Sequence, residues 1–145
     1  MKILVTGAKG FVGKNLCVAL KTKGHTVYEY DIESTADELK EYCKDCEFVF
    51  HLAGVNRPKD PKEFLEGNCA AADNLLATLK EKSNKCPIML SSSIQASLIG
   101  RYAGSDYGKS KLAGEELVRS VGAENGNKTL IYRFPNLFGK WCRPN

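Results

Sequence analysis

Thr6-Gly7-Ala8-Lys9-Gly10-Phe11-Val12-Gly13 decides the fold. Ahead of it stands Lys2–Thr6, a short β-branched run of the kind that forms a buried parallel strand. Behind it, Phe11–Lys23 carries apolar residues at helical spacing. Phe11, Val12, Leu16, Ala19 and Leu20 are expected on one face, and Gly24 is the stop signal. The stretch is G-x-x-G-x-x-G at a strand-to-helix junction, the context in which spaced glycines hold a dinucleotide. Gly7 suits the tight turn, Gly10 a close approach of pyrophosphate to backbone, and Gly13 close packing of helix on strand. The helix N-terminus adds unpaired N–H donors and positive potential.

The same alternation continues along the chain. His25–Tyr30 reads as a strand ending at Asp31, and Thr35–Lys44 as a short helix capped by Ser34 or Thr35. Glu47–Ala53 is a strand closed by Gly54, and Pro61 opens a helix running to about Ser83. Pro87–Ser92 is a strand, Tyr107–Val121 a helix ended by Gly122, and Thr129–Arg133 a strand. Strands alternating with helices imply a parallel sheet covered on both faces. Only one short helix separates Asp31 from Glu47, so the predicted strand order is 2-1-3-4-5 with right-handed crossovers. The expectation is one doubly wound, Rossmann-type α/β domain over residues 1–145.

Composition limits the alternatives. A chain of 145 residues suffices for one domain with a sizeable core. Hydrophobic residues at 43% and charged residues at 26% exclude wholesale disorder. The net charge is +4 and scattered, with only Lys140 and Arg143 as a local excess, so no nucleic-acid partner is expected. No apolar run approaches the roughly 20 residues that span a bilayer. Met1–Val5 runs straight into the first strand without the longer apolar region of a signal peptide, so a cytoplasmic location is expected. Cys43-x-x-Cys46 lacks the second pair that zinc requires and the strand-to-helix context of a thioredoxin motif. All six cysteines are expected to be reduced and structural, with no metal bound.

Two further features point to a site. Asp31 ends the second strand, 18 residues after Gly13, where an acid binds adenosine ribose hydroxyls and disfavours a 2′-phosphate. That suggests NADH. Lys9, within the glycine turn, could pair with such a phosphate and suggests the opposite; Asp31 as a plain turn residue is the third possibility. The second feature is Tyr107-Gly108-Lys109-Ser110-Lys111. Tyr107 and Lys111 are four apart and share a helix face. Ser91-Ser92-Ser93 ends the preceding strand, at the edge where open α/β sheets bind ligands. A nearby ammonium is expected to lower the phenol pKa from near 10, so that the pair passes a proton while hydride moves, with Ser93 holding the substrate oxygen. Y-x-x-x-K alone is usually an exposed helix pair; its place after a serine-ended strand, downstream of the glycine turn, is what gives it meaning.

TGAKGFVG at Thr6–Gly13, HLAG at His51–Gly54, SSS at Ser91–Ser93, YGKSK at Tyr107–Lys111 and RFPNLFG at Arg133–Gly139 together resemble the extended short-chain dehydrogenase/reductase family of nucleotide-sugar epimerases, dehydratases and reductases. The resemblance covers the whole chain. HLAGVNRP, LSSSIQAS and YRFPNLFGKWCRPN are similar to the branch of UDP-sugar reductases that serve capsular-polysaccharide synthesis. The resemblance implies Ser93, Tyr107 and Lys111 as the catalytic triad. It implies a cofactor site at Gly7, Lys9, Gly10, Phe11, Val12, Gly13, Asp31, Leu52, Ala53, Gly54, Tyr107, Lys111, Phe134 and Pro135. Ser93 and Asn136 would touch a UDP-linked substrate. Asn68 would support the site, and Arg57 would reach a phosphate or stand in a solvated loop. His51 is expected to be a packed strand residue. The cofactor implied is NAD(P)H, with NADPH favoured by the resemblance and NADH by Asp31. Leu98–Asp106 departs from the pattern as an inserted-looking loop. The family's C-terminal substrate lobe, and the cupin domain of its capsular branch, are expected to be absent from these 145 residues. The full-length form is expected to be a homo-oligomer. The implied activity is reduction of a 4-keto deoxy-amino sugar nucleotide; a 4-epimerase that retains its cofactor and a non-catalytic dinucleotide-binding module are the alternatives.

Overall fold

The computed structural model describes residues 1–55, 60 and 62–142. The expectations placed on Asn56-Arg57-Pro58, on Pro61 and on residues 143–145 lie outside the described residues. The elements run β1 (Lys2–Thr6), α1 (Phe11–Thr22), β2 (Thr26–Tyr30), α2 (Ala36–Asp45), β3 (Phe48–His51), α3 (Lys62–Glu81), β4 (Ile88–Ser93), α4 (Asp106–Asn125) and β5 (Thr129–Phe134). Two 3₁₀ turns, Ile94–Ser97 and Gly100–Tyr102, stand between β4 and α4. The second lies within Leu98–Asp106, the stretch that reads as an inserted loop.

The five strands form one parallel sheet in the order β2-β1-β3-β4-β5, as predicted. Every strand therefore ends on the same edge. Thr6, Tyr30, His51, Ser93 and Phe134 stand there: Thr6 pairs with both Tyr30 and His51, and Ser93 pairs with Phe134, three residues beyond the Leu90 that pairs with His51. Two apolar layers hold the sheet. On one face Leu39 and Cys43 of α2, Leu75, Leu76 and Leu79 of α3, and Val118 of α4 pack on Leu4, Val49, Ile88 and Leu90. On the other, Cys17 and Leu20 of α1 pack with Ile3, Val5 and Ala8. In α3 the buried Ala72, Leu75, Leu76 and Leu79 follow the 3–4 spacing of an amphipathic helix.

Local signals explain most element ends. Thr35 caps α2 in a capping box: Thr35 Oγ1 accepts the Glu38 N–H at 3.2 Å, and the Glu38 carboxylate accepts the Thr35 N–H at 2.7 Å. Two expectations are corrected. Ala19 of α1 is exposed, because the buried stripe runs through Gly13, Cys17 and Leu20 instead. Gly122 does not end α4. It lies inside the helix, where a Cβ would stand 2.7 Å from Thr129 Cγ2, so its smallness serves close packing of α4 on β5. The helix ends at Gly126, which takes the left-handed conformation at φ +83°.

None of the six cysteines is joined in a disulfide; Cys17, Cys43, Cys46 and Cys86 are buried, and the Cys46 and Cys86 sulfurs lie 3.8 Å apart. No helix among the described residues is long and apolar enough to cross a membrane.

Candidate active site

The glycine turn is built against the neighbouring strand end. Gly7 has φ +71°, a conformation that favours glycine, and a Cβ there would stand 2.8 Å from the Ala53 nitrogen. The turn thus lies directly on Leu52–Ala53. Leu52 N–H donates to the Thr6 carbonyl at 3.1 Å and Ala53 N–H to Thr6 Oγ1 at 3.3 Å. Gly13 is buried in the first turn of α1, where a Cβ would overlap the Gly7 carbonyl and come 2.8 Å from Ala8 Cα. Gly10 differs. It is exposed, and a Cβ there would meet only the Gly7 carbonyl, at 3.2 Å. As the N-cap of α1 it offers no side-chain acceptor, and the first turn holds no acid. Phe11 and Val12 follow, half-buried.

Asp31 lies beside this turn. Its carboxylate accepts the Lys9 backbone N–H at 2.7 Å and the Ile32 N–H at 2.8 Å. Asp31 and the glycine turn are therefore one assembly. The Lys9 ammonium pairs with exposed Glu33, which raises the lysine's pKa.

The second half of the site comes from β4 and α4. Ser93 is buried at the end of β4, and its Oγ accepts the Gln95 N–H at 3.2 Å. Ser105 caps α4, accepting the Gly108 N–H at 2.9 Å and donating to Gln95 Oε1 at 2.7 Å. A Cβ at Gly108 would overlap the Gln95 carbonyl, so α4 starts hard against the 3₁₀ turn that follows Ser93. This contact brings Tyr107 to the serine-ended strand. Lys111 Nζ lies 5.7 Å from the Tyr107 ring centre and donates to the Ser91 carbonyl at 3.3 Å.

Lys111 also joins this half to β3. A Cβ on Gly54 would stand 3.2 Å from Lys111 Nζ and 2.5 Å from Asn68 Oδ1. Asn68 is buried; its Oδ1 accepts the Val55 N–H at 3.0 Å, and its Nδ2 donates to Ser110 Oγ at 3.1 Å. Ser110 in turn donates to the Tyr107 carbonyl at 2.8 Å. His51, fully buried, shares a 2.7 Å hydrogen bond with Thr6 Oγ1. Burial, with help from the Lys111 charge, lowers its pKa to about 4. It is a packed neutral residue, as expected.

The electrostatics correct one expectation. Burial raises the Tyr107 pKa above its ordinary value and lowers that of Lys111. Desolvation by burial is the cause of both shifts.

Phe134 ends β5 next to Ser93, half-buried; Pro135 and Asn136 follow it, exposed, at the same sheet edge. The structure thus gathers the glycine turn, Asp31, Leu52–Gly54, Ser93, Tyr107, Lys111 and Phe134–Asn136 along one edge. Sequence reasoning missed Ser105, Ser110 and Glu115. Ser105-x-x-Gly108 was a visible cap signal. Glu115, one turn beyond Lys111, reads as a surface acid until α4 is placed on the sheet.

Known proteins match this arrangement. The chain is 43% identical over 146 aligned residues to the UDP-2-acetamido-2,6-beta-L-arabino-hexul-4-ose reductase of Pseudomonas aeruginosa, covering all of this chain and 38% of that protein. The crystal structure of the capsular polysaccharide assembling protein CapF from Staphylococcus aureus matches at 47% identity and a TM-score of 0.82, again over all of this chain and 38% of the other. RMD from Pseudomonas aeruginosa, solved in complex with NADPH, matches at 26% identity and a TM-score of 0.75 over 93% of this chain and 53% of that one. The chain therefore spans about two-fifths of the length of the first two relatives. Residues 3–145 match the NAD dependent epimerase/dehydratase family, and to that family the chain belongs.

Proposed function

We propose that this chain is the cofactor-binding part of an NAD(P)H-dependent reductase of a UDP-linked 4-keto deoxy-amino sugar, acting in the cytoplasm in capsular or other surface polysaccharide synthesis. One observation carries the reading: Ser93, Tyr107 and Lys111 lie along the glycine-turn edge of a chain 43% identical throughout to a UDP-sugar reductase.

The residues present fit a dinucleotide. The uncapped, acid-free start of α1 and the exposed Gly10 at its N-cap suit a pyrophosphate held by Gly7, Lys9, Gly10, Phe11, Val12 and Gly13. Asp31 would bind the adenosine ribose; Leu52, Ala53 and Gly54 would line the cofactor. Tyr107, Lys111, Phe134 and Pro135 would lie at its nicotinamide end. When bound, the cofactor supplies a hydride. Ser93, whose Oγ accepts from the Gln95 N–H, would hold the substrate carbonyl oxygen by a hydrogen bond from its hydroxyl. Tyr107 would give that oxygen a proton, and burial, which raises its pKa, disfavours the phenolate before that transfer. Lys111, its pKa lowered by burial, releases a proton more readily than a solvated lysine and would restore the phenol. Asn136 would touch the sugar nucleotide.

Turnover also requires the substrate to be held against the nicotinamide, and positioning contributes about 7–11 kcal/mol of barrier lowering. We assign that task to parts of the protein beyond these residues. Single-turnover hydride transfer from NADPH and NADH to a 4-keto UDP-sugar tests the reading. The native-length protein should transfer and lose most of its rate on Tyr107→Phe, while the 145-residue chain binds cofactor and transfers poorly. Full activity in native-length Tyr107→Phe would overturn the assignment. The matched family also includes epimerases by name, and NAD⁺ that stays bound through purification would favour that activity over reduction.

A further inference from the structure

Glu115 is fully buried, yet it lies outside the proton-transfer pair and has no place in the cofactor site described above. Its Oε1 accepts the Ser92 hydroxyl at 2.5 Å and Arg133 Nε at 2.8 Å, and its Oε2 accepts Arg133 Nη2 at 2.7 Å. Arg119 Nη2 lies 3.7 Å away. Burial opposes the charge of this carboxylate, but the bonds from Arg133 and Ser92 prevail and hold its pKa below the ordinary value. Glu115 is buried while the Arg133 side chain is 37% exposed, and an ion pair of this kind is weak evidence for stability. What it does supply is geometry.

The placement of the cluster is specific. Tyr107, Lys111 and Glu115 are spaced four apart on α4 and form one stripe facing the sheet. Ser92 immediately precedes Ser93, and Arg133 immediately precedes Phe134. The two pairs are neighbours in register across β4 and β5. One carboxylate therefore joins α4 to both strands, one residue below the residues proposed to meet substrate and nicotinamide.

We propose that Glu115 is a positioning residue: bound to Ser92 and Arg133, it fixes the rotation of α4 against β4 and β5 and so holds the Tyr107 phenol at the distance from Ser93 that proton transfer requires. This rests on the reading of Tyr107 as proton donor. Helix geometry sets the sensitivity. The side-chain shell of a helix lies about 5–6 Å from its axis, so a turn of roughly 10° moves the tip of a side chain by about 1 Å. A misplacement of about 1 Å can cost on the order of 100-fold in rate.

The test replaces the whole pair by apolar residues, Glu115→Leu with Arg133→Met, in the native-length protein. Melting temperature, NADPH affinity, and KM and kcat for a 4-keto UDP-sugar are measured together. The glycine turn lies on β1 and α1, away from the cluster, whereas Lys111 and Phe134 adjoin it at the nicotinamide end; NADPH affinity and KM should therefore each change by less than about tenfold, well below the change in kcat. We expect kcat to fall by about 100-fold in a protein that still folds. A folded variant with kcat within threefold of the parent overturns the proposal. Should that variant not fold, Arg133→Lys keeps the charge but loses the two-pronged grip, and it should lower kcat at unchanged NADPH affinity; unchanged kcat there overturns the proposal equally. Tyr107→Phe in the parent separates the two levels. If it retains full kcat, the proton-donor reading falls and this proposal with it; if it is inactive while the Glu115 variants are unaffected, only the role of Glu115 is refuted.

Discussion

Acid should loosen this fold through His51. The imidazole is fully buried beside Lys111, and its pKa is lowered to about 4 from an ordinary 6.5. Between those values the unfolded chain binds a proton that the folded chain refuses. Unfolding therefore takes up a proton there, and stability is lost as pH falls through that window. The two values correspond to about 3 kcal/mol when fully expressed, of which about 2 kcal/mol falls between pH 7 and pH 5. For a domain of this size that is a drop of about 7 °C in melting temperature. Urea unfolding at a series of pH values measures it directly, with His51→Gln alongside. Gln presents a polar group to Thr6 Oγ1 but does not titrate. The parent should lose about 2 kcal/mol between pH 7 and pH 5, and the variant less than about 0.5 kcal/mol. Equal losses in both proteins would refute the assignment, as would a parent indifferent to pH across the window. The result bears on the site, because the Lys111 charge beside the imidazole contributes to the shift.

The glycines separate fold from ligand. Gly13→Ala drives a methyl into the Gly7 carbonyl and should destabilise the chain by about 1–3 kcal/mol or more, seen as a lowered urea midpoint. Gly10→Val places its Cβ 3.2 Å from the Gly7 carbonyl, a milder conflict than at Gly13, so its urea midpoint should fall less than that of Gly13→Ala while NADPH affinity, followed by cofactor fluorescence, falls at least tenfold; unchanged affinity would remove Gly10 from the phosphate path. Asp31→Ala should weaken NADH more than NADPH and narrow the gap between them. If NADPH already binds more tightly in the parent, Asp31 serves the glycine turn through the Lys9 N–H rather than selecting the ribose.

The sequence alone determined the features that depend on local chemistry and on the handedness of connections. Gly7, Gly10 and Gly13 mark a strand–turn–helix junction because only glycine tolerates both the left-handed turn and the helix-to-turn contact. Alternating strands and helices with right-handed crossovers leave essentially one strand order, and it is the one observed. Once the order is known, all the strand ends fall on one edge, so Ser93 and the glycine turn are neighbours by topology. Helical spacing likewise placed Tyr107 and Lys111 on one face. Tertiary structure decided what depends on close approach between elements distant in the chain. Gly122 reads as a stop until Thr129 is found against it, and the helix then runs on to Gly126. The directions in which the Tyr107 and Lys111 pKa values shift follow from burial, which no spacing encodes, and for the phenol the direction is opposite to the one expected. Glu115 is the plainest case. A charged residue on a helix is ordinarily solvated, and only the sheet beneath α4, bringing Ser92 and Arg133 side by side, makes this one a buried joint.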